Sequence, residues 1–386
     1  MGGKTKLNAI IKKKISNILA IIMFFCSSFL AFYCIFLRID KLFFIFDKED
    51  INLFAAKFIL PRGKLIFSGK YNFIDNPGIE KKQKRFEEIH LNKNKVSNNV
   101  KNISPETVPK KEIPYEDEPH DPNEKKYKVI ESQFSSSGLK YENFYIKNTT
   151  GCEINIAQEI NKEPAINITC TDKPQVLILH THTSESYLMK DQGFFYESFF
   201  PRTTDNNKNV VRVGDEIAQQ LIKSGINVIH DLTAHDTPTY NGSYSRAAKT
   251  IEKNLKENPS IQVVIDVHRD SMGNRESGKV KPTCTINGQK AAQLMIISGC
   301  DKDGTLGFPN WKKNLRLSLR LQKYCESMFP GITRPLNFSC VKYNMDITPG
   351  SLLVEIGSDV NTLEEAVYTG TMFGKSLANL LSDLKK

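Results

Sequence analysis

The amino-acid sequence predicts an α/β fold with a largely parallel sheet flanked by helices, preceded by an N-terminal transmembrane helix. Two observations support this prediction. After about residue 174, apolar runs with the length of buried strands alternate with segments of helical periodicity. Near the N-terminus, an uncharged apolar run extends over 23 residues.

The N-terminal segment has the charge pattern of a membrane anchor. Five lysines lie within residues 1–14, and residues 15–37 contain no charged side chain. At about 1.5 Å per residue, this run spans the roughly 30 Å hydrocarbon layer. The lysines should stay cytoplasmic, which places the rest of the chain outside the cytoplasmic membrane. A cleaved signal peptide is the alternative, although Ala31-Phe32-Tyr33 is not a small-x-small cleavage site.

The segments after the anchor differ in composition. Residues 38–77 form a juxtamembrane segment without an assigned role. Residues 78–126 are charged, rich in Asn and Pro, and too poor in apolar side chains to offset the entropy of ordering, so we predict a linker. Residues 127–173 are expected to form a cap or N-terminal extension, and residues 174–386 the catalytic domain.

The composition excludes several functional classes. The chain of 386 residues has 53 Lys and Arg against 43 Asp and Glu, and its net charge of +10 favours a polyanionic partner. Because the predicted anchor exports this charge, we expect a cell wall or membrane surface as partner and no nucleic acid. No P-loop, dinucleotide fingerprint, nucleophile elbow or C-x-x-C pair occurs.

The cysteines are too sparse for a disulfide-built scaffold, with eight in the whole chain. Cys152 and Cys170 could form a local disulfide. Free, buried thiols are expected at the remaining positions of the main domain: Cys284, Cys300, Cys325 and Cys340.

The main domain is predicted to open with a buried strand. The apolar run Val176–Leu179 lies between Pro174 and a polar cluster, as is typical of a parallel strand covered on both faces. Apolar runs predict further strands over residues 226–229, 261–267, 293–298 and 351–356. Helical periodicity predicts helices over residues 212–224, 246–258, 315–328 and 363–384.

Metal-ligand side chains and carboxylates follow three of these strands. Residues 180–187 follow the first, residues 266–270 end the third, and Glu355 lies at the end of the last. Because reactive groups in open α/β sheets collect at the carboxyl ends of strands, we expect these segments to meet. Three of the seven histidines of the chain lie in them.

The spacing of these residues predicts a metal site. His182 and Glu185 form an H-x-x-E pair, and His268 would complete a set that leaves one Zn²⁺ position open for water. Glu355 is the candidate base that would accept the proton of that water. His180 is a contender for the place of His182, or a substrate contact, because both point to one side of an extended chain. Taken singly, each of these residues is better explained as a surface group or as a charge at the start of a helix. Their occurrence together at three strand ends favours a metal site.

Other residues are candidates for substrate binding. Asn241 and Arg246 lie in a polar, aromatic segment opening a helix, which suits capture of a peptide carboxylate. A capped helix with a solvated arginine explains this segment equally well. Arg269, next to His268, is expected to orient that histidine or the substrate. His230 and His235 are expected to be structural.

Five stretches together closely resemble the stage II sporulation protein P family. They are VLILHTHTSESY, VGDEIAQQL with the following GINVIHD, YNGSYSRA, NPSIQVVIDVHRD and SLLVEIGS. The resemblance implies a fold similar to that of zinc-dependent N-acetylmuramoyl-L-alanine amidases, of the amidase/phosphorylase-hydrolase type. It implies a peptidoglycan hydrolase that cleaves the amide between N-acetylmuramic acid and L-alanine, and also cross-bridge peptides as an endopeptidase.

The resemblance also implies a cellular setting and a set of site residues. The enzyme would be anchored in the mother-cell membrane, act in the septal space during forespore engulfment, and work with the stage II sporulation proteins D and M. Its zinc ligands would be His182, Glu185 and His268, with Glu355 as base. Many amidases of this fold take the carboxylate ligand from a segment that here lacks glutamate, so Glu185 substitutes, or Asp215 or Glu216 contributes. The alternatives are a catalytically idle wall-binding scaffold and a metal-dependent peptidase or deacetylase.

Overall fold

The computed structural model describes residues 101–102, 121–169 and 171–385. The predicted cytoplasmic segment, anchor and juxtamembrane segment lie outside these residues, as do most of the predicted linker and Cys170. Among the described residues, no helix has both the length and the apolar character needed to cross a membrane.

Fourteen strands and five helices form the described part of the chain. The strands are β1 (Lys101–Asn102), β2 (Lys126–Ser132), β3 (Leu139–Tyr141), β4 (Phe144–Asn148), β5 (Val176–Leu179), β6 (Phe194–Tyr196), β7 (Val228–His230), β8 (Val263–Asp270), β9 (Gly273–Asn274), β10 (Gly278–Ile286), β11 (Gln289–Ala292), β12 (Leu294–Gly299), β13 (Leu336–Ser339) and β14 (Ser351–Ser358). The helices are α1 (Ile156–Asn161), α2 (Val210–Lys223), α3 (Ser243–Glu257), α4 (Trp311–Met328) and α5 (Leu363–Asp383).

A nine-stranded sheet forms the centre of this domain, in the order β1, β7, β5, β8, β14, β12, β13, β4 and β3. The strands β7, β5, β8 and β14 run parallel, as do β12, β13 and β4. Antiparallel pairs join β14 to β12 and add the edge strands β1 and β3. The predicted α/β class is therefore confirmed, and the sheet is mixed around parallel blocks.

Helices cover both faces of the large sheet, which explains its apolar strands. In β5, Val176 and Ile178 pack into the larger core, to which α2, α4 and α5 contribute. Leu177 and Leu179 point to the opposite face, where they meet Ala247 and other residues of α3. A strand covered on both faces has no polar alternation, so the sequence shows a continuous apolar run.

A second, smaller sheet was not predicted. Its order is β11, β10, β2 and β6, and β9 pairs with β10. The central strand β10 contains Lys279, Lys281 and Pro282, so it lacks the apolar run that identifies the strands of the large sheet. Residues 127–173, the predicted cap, contribute β2 to this sheet, whereas β3 and β4 belong to the large one.

The cysteines of the described residues are free thiols. Cys284, Cys300 and Cys325 are buried as predicted. The prediction of a buried thiol at Cys340 is wrong: this residue is exposed, because it lies just beyond the end of β13. The Sγ atom of Cys152 lies 3.5 Å from that of Cys300.

Candidate active site

The three strand ends that carry the candidate residues meet at one edge of the large sheet. Leu179, the last residue of β5, pairs with Asp266 of β8. On the other side of β8, His268 pairs with Glu355 of β14 in parallel register. Paired residues of neighbouring strands project to the same face, so the side chains of His268 and Glu355 point the same way.

The chain turns directly after β5 and brings Glu185 back toward the sheet. The turn is closed by a hydrogen bond from the Glu185 amide to the His182 carbonyl, at 3.0 Å. Asp236 stabilises the turn, because its carboxylate accepts hydrogen bonds from the Ser184 amide and hydroxyl. The Glu185 carbonyl accepts a bond from Val210, the first residue of α2.

This turn places Glu185 and His182 against His268. The Oε2 atom of Glu185 lies 3.5 Å from Nδ1 of His268. The rings of His182 and His268 stand perpendicular with their centroids 5.2 Å apart. All three side chains are buried, and Nδ1 of His182 has no hydrogen-bond partner.

The side chains of His182, Glu185 and His268 differ in their protonation states. Burial alone would lower the pKa of His268, but the carboxylates of Asp266 and Glu185 outweigh it and hold that pKa well above its usual value. Burial would raise the pKa of Glu185, but Arg269 and His268 hold it well below its usual value. Burial lowers the pKa of His182 to about 4, so this imidazole is neutral near pH 7. His182 is therefore in the form that binds metals, whereas His268 carries a proton.

Asp266 fixes the orientation of His268. Its carboxylate accepts hydrogen bonds from the amide and hydroxyl of Thr181, at 2.8 and 2.6 Å. Its Oδ1 atom also lies 2.9 Å from Nε2 of His268, an ion-pair distance at which the N–H direction does not meet hydrogen-bond geometry. With Asp266 on the Nε2 side, Nδ1 of His268 faces Glu185, an arrangement that orients metal-ligating histidines in many proteins.

Glu355 is the carboxyl group with the strongest upward shift at this site. Burial, and next the negative charge of Asp270, raise the pKa of Glu355 to about 8. Its Oε2 atom is buried and has no hydrogen-bond partner. A carboxyl group with a pKa close to neutrality can accept and return a proton under ordinary conditions, as a general acid–base catalyst must.

His180 lies in a different environment from His182. Its Nδ1 atom is 2.9 Å from the Val267 carbonyl, and its Nε2 atom is 2.9 Å from Nε2 of His230. His230 in turn contacts Asp215 at 3.1 Å. Both ring nitrogens of His180 are therefore occupied within a buried network, and the structure brings His182 rather than His180 to His268.

The remaining predicted residues take structural contacts. Asp215 contacts His230, and Glu216 pairs with Arg212, so neither alternative carboxylate joins His182. Arg246 donates hydrogen bonds to three carbonyl groups and thereby closes the loop that precedes α3; the acceptors are His235, Thr239 and Asn241. The substrate contacts predicted for Arg246 and Asn241 stay predictions.

Two arginines hold Glu185 in place, and only one of them, Arg269, was among the predicted site residues, where it was expected to orient His268 or the substrate. The amide of Arg269 donates to Oε2 of Glu185 at 3.2 Å, and its guanidinium donates to the carbonyls of Ser186 and Pro201. Arg202, which sequence reasoning missed, lies 3.7 Å from Oε1 of Glu185 and donates to Ser184 and Asp236. No strand end or spacing marks Arg202, because a loop carries it to the site.

Aromatic rings form one wall of the site. Tyr240 stacks on His182 with a centroid distance of 4.4 Å, and the guanidinium of Arg202 also lies over its ring. Tyr244 meets the edge of His182 and lies parallel to His268 at 6.3 Å. The sequence identified this segment as aromatic, but its spacing assigned no partner to either ring.

The donor atoms of this site are of the types that bind a metal ion. Among residues 121–169 and 171–385, no group of three or more His, Cys, Asp and Glu side chains is already arranged to hold one. Two donors nevertheless have suitable spacing: Nδ1 of His268 and Oε2 of Glu185 are 3.5 Å apart, close to the about 3.3 Å that separates two tetrahedral zinc ligands. Nδ1 of His182, whose ring centroid lies 5.2 Å from that of His268, is a third donor atom of a suitable type and has no hydrogen-bond partner. The chemistry of the donor set therefore fits Zn²⁺.

Comparison with known sequences identifies the family. A sequence model described as stage II sporulation protein P matches residues 74–378. The chain belongs to the stage II sporulation protein P family. A family member from Bacillus subtilis (strain 168), stage II sporulation protein P, is 30% identical over 209 residues, which cover 51% of this chain. The match spans about half of that relative, 48% of its length.

This chain is also similar to solved structures of amidases. One is the N-acetylmuramoyl-L-alanine amidase AmiC2 of Nostoc punctiforme, at 13% identity and a TM-score of 0.32, covering 54% of this chain and 96% of the amidase. Another is the CwlD amidase from Clostridioides difficile in complex with the GerS lipoprotein, at 11% identity and a TM-score of 0.33, covering 54% and 99%. TM-scores of this size do not establish a common fold.

Proposed function

We propose that the chain is a zinc-dependent peptidoglycan hydrolase that cleaves the amide between N-acetylmuramic acid and L-alanine during sporulation. Membership of the stage II sporulation protein P family supports the biological setting. The observation that carries the chemistry is the placement of Glu355, with its raised pKa, beside His268 in a site that also contains His182 and Glu185.

The residues of the site divide into those that would bind a cation and those that would act on protons. His182, Glu185 and His268 would hold Zn²⁺, which when bound supplies Lewis acidity toward the scissile carbonyl. Asp266, Arg269 and Arg202 orient these side chains. Glu355 would take a proton from the attacking water and deliver it to the departing amine nitrogen. The reaction adds water across the amide bond and yields a carboxylic acid and an amine.

The test is hydrolysis of isolated cell wall by the purified full-length chain with Zn²⁺. We expect mass spectrometry to detect free stem peptides with L-alanine at their N-terminus. Glu355→Gln should lower the rate by about 10²- to 10⁴-fold, the usual contribution of a general acid–base group. The matched control is Glu364→Gln, the same change at an exposed glutamate of α5, which should keep full activity.

Other reaction products would indicate a different activity. Cleavage within the stem peptides would indicate an endopeptidase, and loss of acetate from the sugars a deacetylase. If neither the chain nor its Glu355→Gln variant releases any product while both bind the wall, the chain is a wall-binding scaffold.

Membrane anchoring through residues 15–37, an extracytoplasmic catalytic domain and partnership with the stage II sporulation proteins D and M belong to the same proposal. They rest on the sequence alone. Fractionation of sporulating cells and co-purification of the full-length chain would test them separately from catalysis.

A further inference from the structure

A stack of three aromatic rings leads from the candidate active site to the surface. The ring of Tyr244 lies parallel to His268, with a centroid distance of 6.3 Å and an interplanar angle of 13°. Tyr343 stacks on Tyr244 at 5.1 Å and 20°. The stack therefore continues the aromatic wall of the site outward from a candidate metal ligand.

Tyr343 is the outer end of this stack, and 38% of its surface is exposed. It belongs to a small group of large apolar side chains with this much exposure among the described residues. Burial of apolar surface in the core does not explain its position, because a core role would cover the ring on all sides.

The backbone at this position is in the left-handed region. Tyr343 has φ 42° and Asn344 has φ 58°, although neither residue is glycine. A bulky residue rarely adopts this conformation, because its Cβ approaches the carbonyl oxygen. Such outliers persist where surrounding structure holds them and are concentrated at ligand-binding sites. Here the Asn344 side chain donates a hydrogen bond to the Tyr244 carbonyl at 2.9 Å and fixes the turn to α3.

We propose that Tyr343 is a binding platform for a sugar ring of the glycan strand next to the scissile amide. The inference rests on the proposed function, since it takes peptidoglycan as the substrate. A sugar presents polarised C–H groups on one broad face, and the face of an aromatic ring carries negative quadrupole charge, so the two faces attract. Of the two parts of peptidoglycan, the glycan strand carries such rings, and it continues on both sides of the cleaved residue.

The left-handed backbone at Tyr343 makes glycine a suitable replacement for testing the role of the ring. Glycine adopts φ 42° without steric cost, so Tyr343→Gly removes the ring while relieving the backbone. We expect its melting temperature to stay within about 2 °C of the wild type, because relief of the strain offsets the lost stacking on Tyr244. Tyr343→Phe keeps the ring and removes the hydroxyl.

The measurement is the binding of glycan strands from which all stem peptides have been removed, by titration calorimetry on the full-length chain in detergent. These strands lack the amide between N-acetylmuramic acid and L-alanine that the proposed reaction cleaves. Tyr343→Gly should weaken the Kd by about five- to tenfold. Tyr343→Phe should bind within about twofold of wild type. Leu139→Ala is the matched control, because this exposed residue lies on the edge strand β3, five strands away from β8.

Several results would overturn the platform. They are no binding of glycan strands by the wild type, an unchanged Kd in Tyr343→Gly, or equal losses in Tyr343→Gly and Tyr343→Phe. If Tyr343→Gly does not fold, Tyr343→Asn is used, since asparagine also tolerates the left-handed region. If both variants fail to fold, the ring is a structural support and the proposal is wrong.

The outcome separates this inference from the proposed function. A chain that binds glycan strands through Tyr343 but hydrolyses no wall keeps the platform and loses the proposed reaction. A chain that hydrolyses wall while Tyr343→Gly binds glycan strands normally keeps the reaction and loses the platform.

Discussion

At the scale of single residues, two histidines of the same motif lie in different environments. His180 and His182 are two positions apart, yet His180 contacts Val267 and His230, whereas Nδ1 of His182 has no hydrogen-bond partner. An unpartnered polar atom in a buried site is costly unless a ligand satisfies it. The difference arises because β5 ends at Leu179 and the chain turns over residues 181–184, so the alternation of an extended strand no longer applies.

This contrast predicts different defects for the two histidines. His182→Ala should weaken Zn²⁺ binding at least about tenfold while leaving the fold intact, because Nδ1 of His182 makes no hydrogen bond that the change would break. His180→Ala should lower the melting temperature, because it leaves the buried Nε2 atom of His230 without its partner. Equilibrium dialysis with Zn²⁺ and thermal unfolding separate the two effects. Loss of zinc binding only in a folded His180→Ala chain would reverse the ligand assignment.

Zinc binding should also compete with a proton. His268 is held protonated by Asp266 and Glu185 near pH 7, and an imidazolium cannot bind a metal. We therefore expect about one proton to be released for each Zn²⁺ bound, and the affinity to rise about tenfold per pH unit below the pKa of His268. Calorimetry in buffers of different ionisation enthalpy measures this proton. A pH-independent affinity would show that His268 is not a ligand.

At the scale of elements, the start of α5 joins the two sheets. Thr362 and Glu365 form a capping box, in which the Thr362 side chain accepts from the Glu365 amide and the Glu365 carboxylate accepts from the Thr362 amide. Lys281 of β10 places its buried Nζ atom 2.9 Å from Oε1 of Glu365. Burial would lower the pKa of Lys281, but Glu365 and Asp191 raise it above its usual value.

This arrangement predicts a large effect for Lys281→Met. The change leaves the carboxylate of Glu365 buried without its cation, which should cost about 3–5 kcal/mol in the free energy of unfolding. Lys290→Met is the matched control, because Lys290 pairs with Glu131 and Asp191 at the surface and should cost less than about 1 kcal/mol. Urea unfolding measures both. Equal costs for the two lysines would contradict a buried ion pair at Glu365.

The same lysine shows where sequence reasoning about elements succeeds and where it ends. Val176–Leu179 and the strands beside it were predicted because both of their faces are apolar. Strand β10 was not predicted, because it contains the charged residue Lys281 among its buried positions. The charge of Lys281 is compensated by Glu365, a residue 84 positions away. Pairing over such a distance leaves no local periodicity.

At the scale of the whole molecule, the sheet explains which site residues were found. His182 and Glu185 follow β5, whereas His268 and Glu355 lie near the carboxyl ends of β8 and β14, and strand ends can be located from apolar runs. Arg202 and Tyr343 lie in loops, whose paths depend on tertiary contacts. The sequence could therefore indicate a candidate metal and base set, but neither Arg202 beside Glu185 nor the outer aromatic ring of Tyr343.

The site also bears on the stability of the whole domain. Glu355 is half-buried, its Oε2 atom is fully buried without a hydrogen-bond partner, and its pKa is raised from 4.5 to about 8. Between these two values the folded chain holds a proton that the unfolded chain has released. The free energy of unfolding therefore falls as the pH rises from about 4.5 to about 8. The same burial that suits Glu355 for proton transfer thus destabilises the fold at neutral and alkaline pH.

Glu355→Gln should remove this pH-dependent loss, because glutamine does not titrate. In the metal-free chain we expect the variant to match the wild type at pH 4 and to melt at least about 2 °C higher at pH 9. Chelator is needed because a bound cation would stabilise the Glu355 carboxylate and mask the effect. Glu364→Gln, at an exposed position, should show no such divergence. A Glu355→Gln curve parallel to wild type across the pH range would mean that Glu355 ionises near its ordinary pKa, and the proton-transfer role would lose its physical basis.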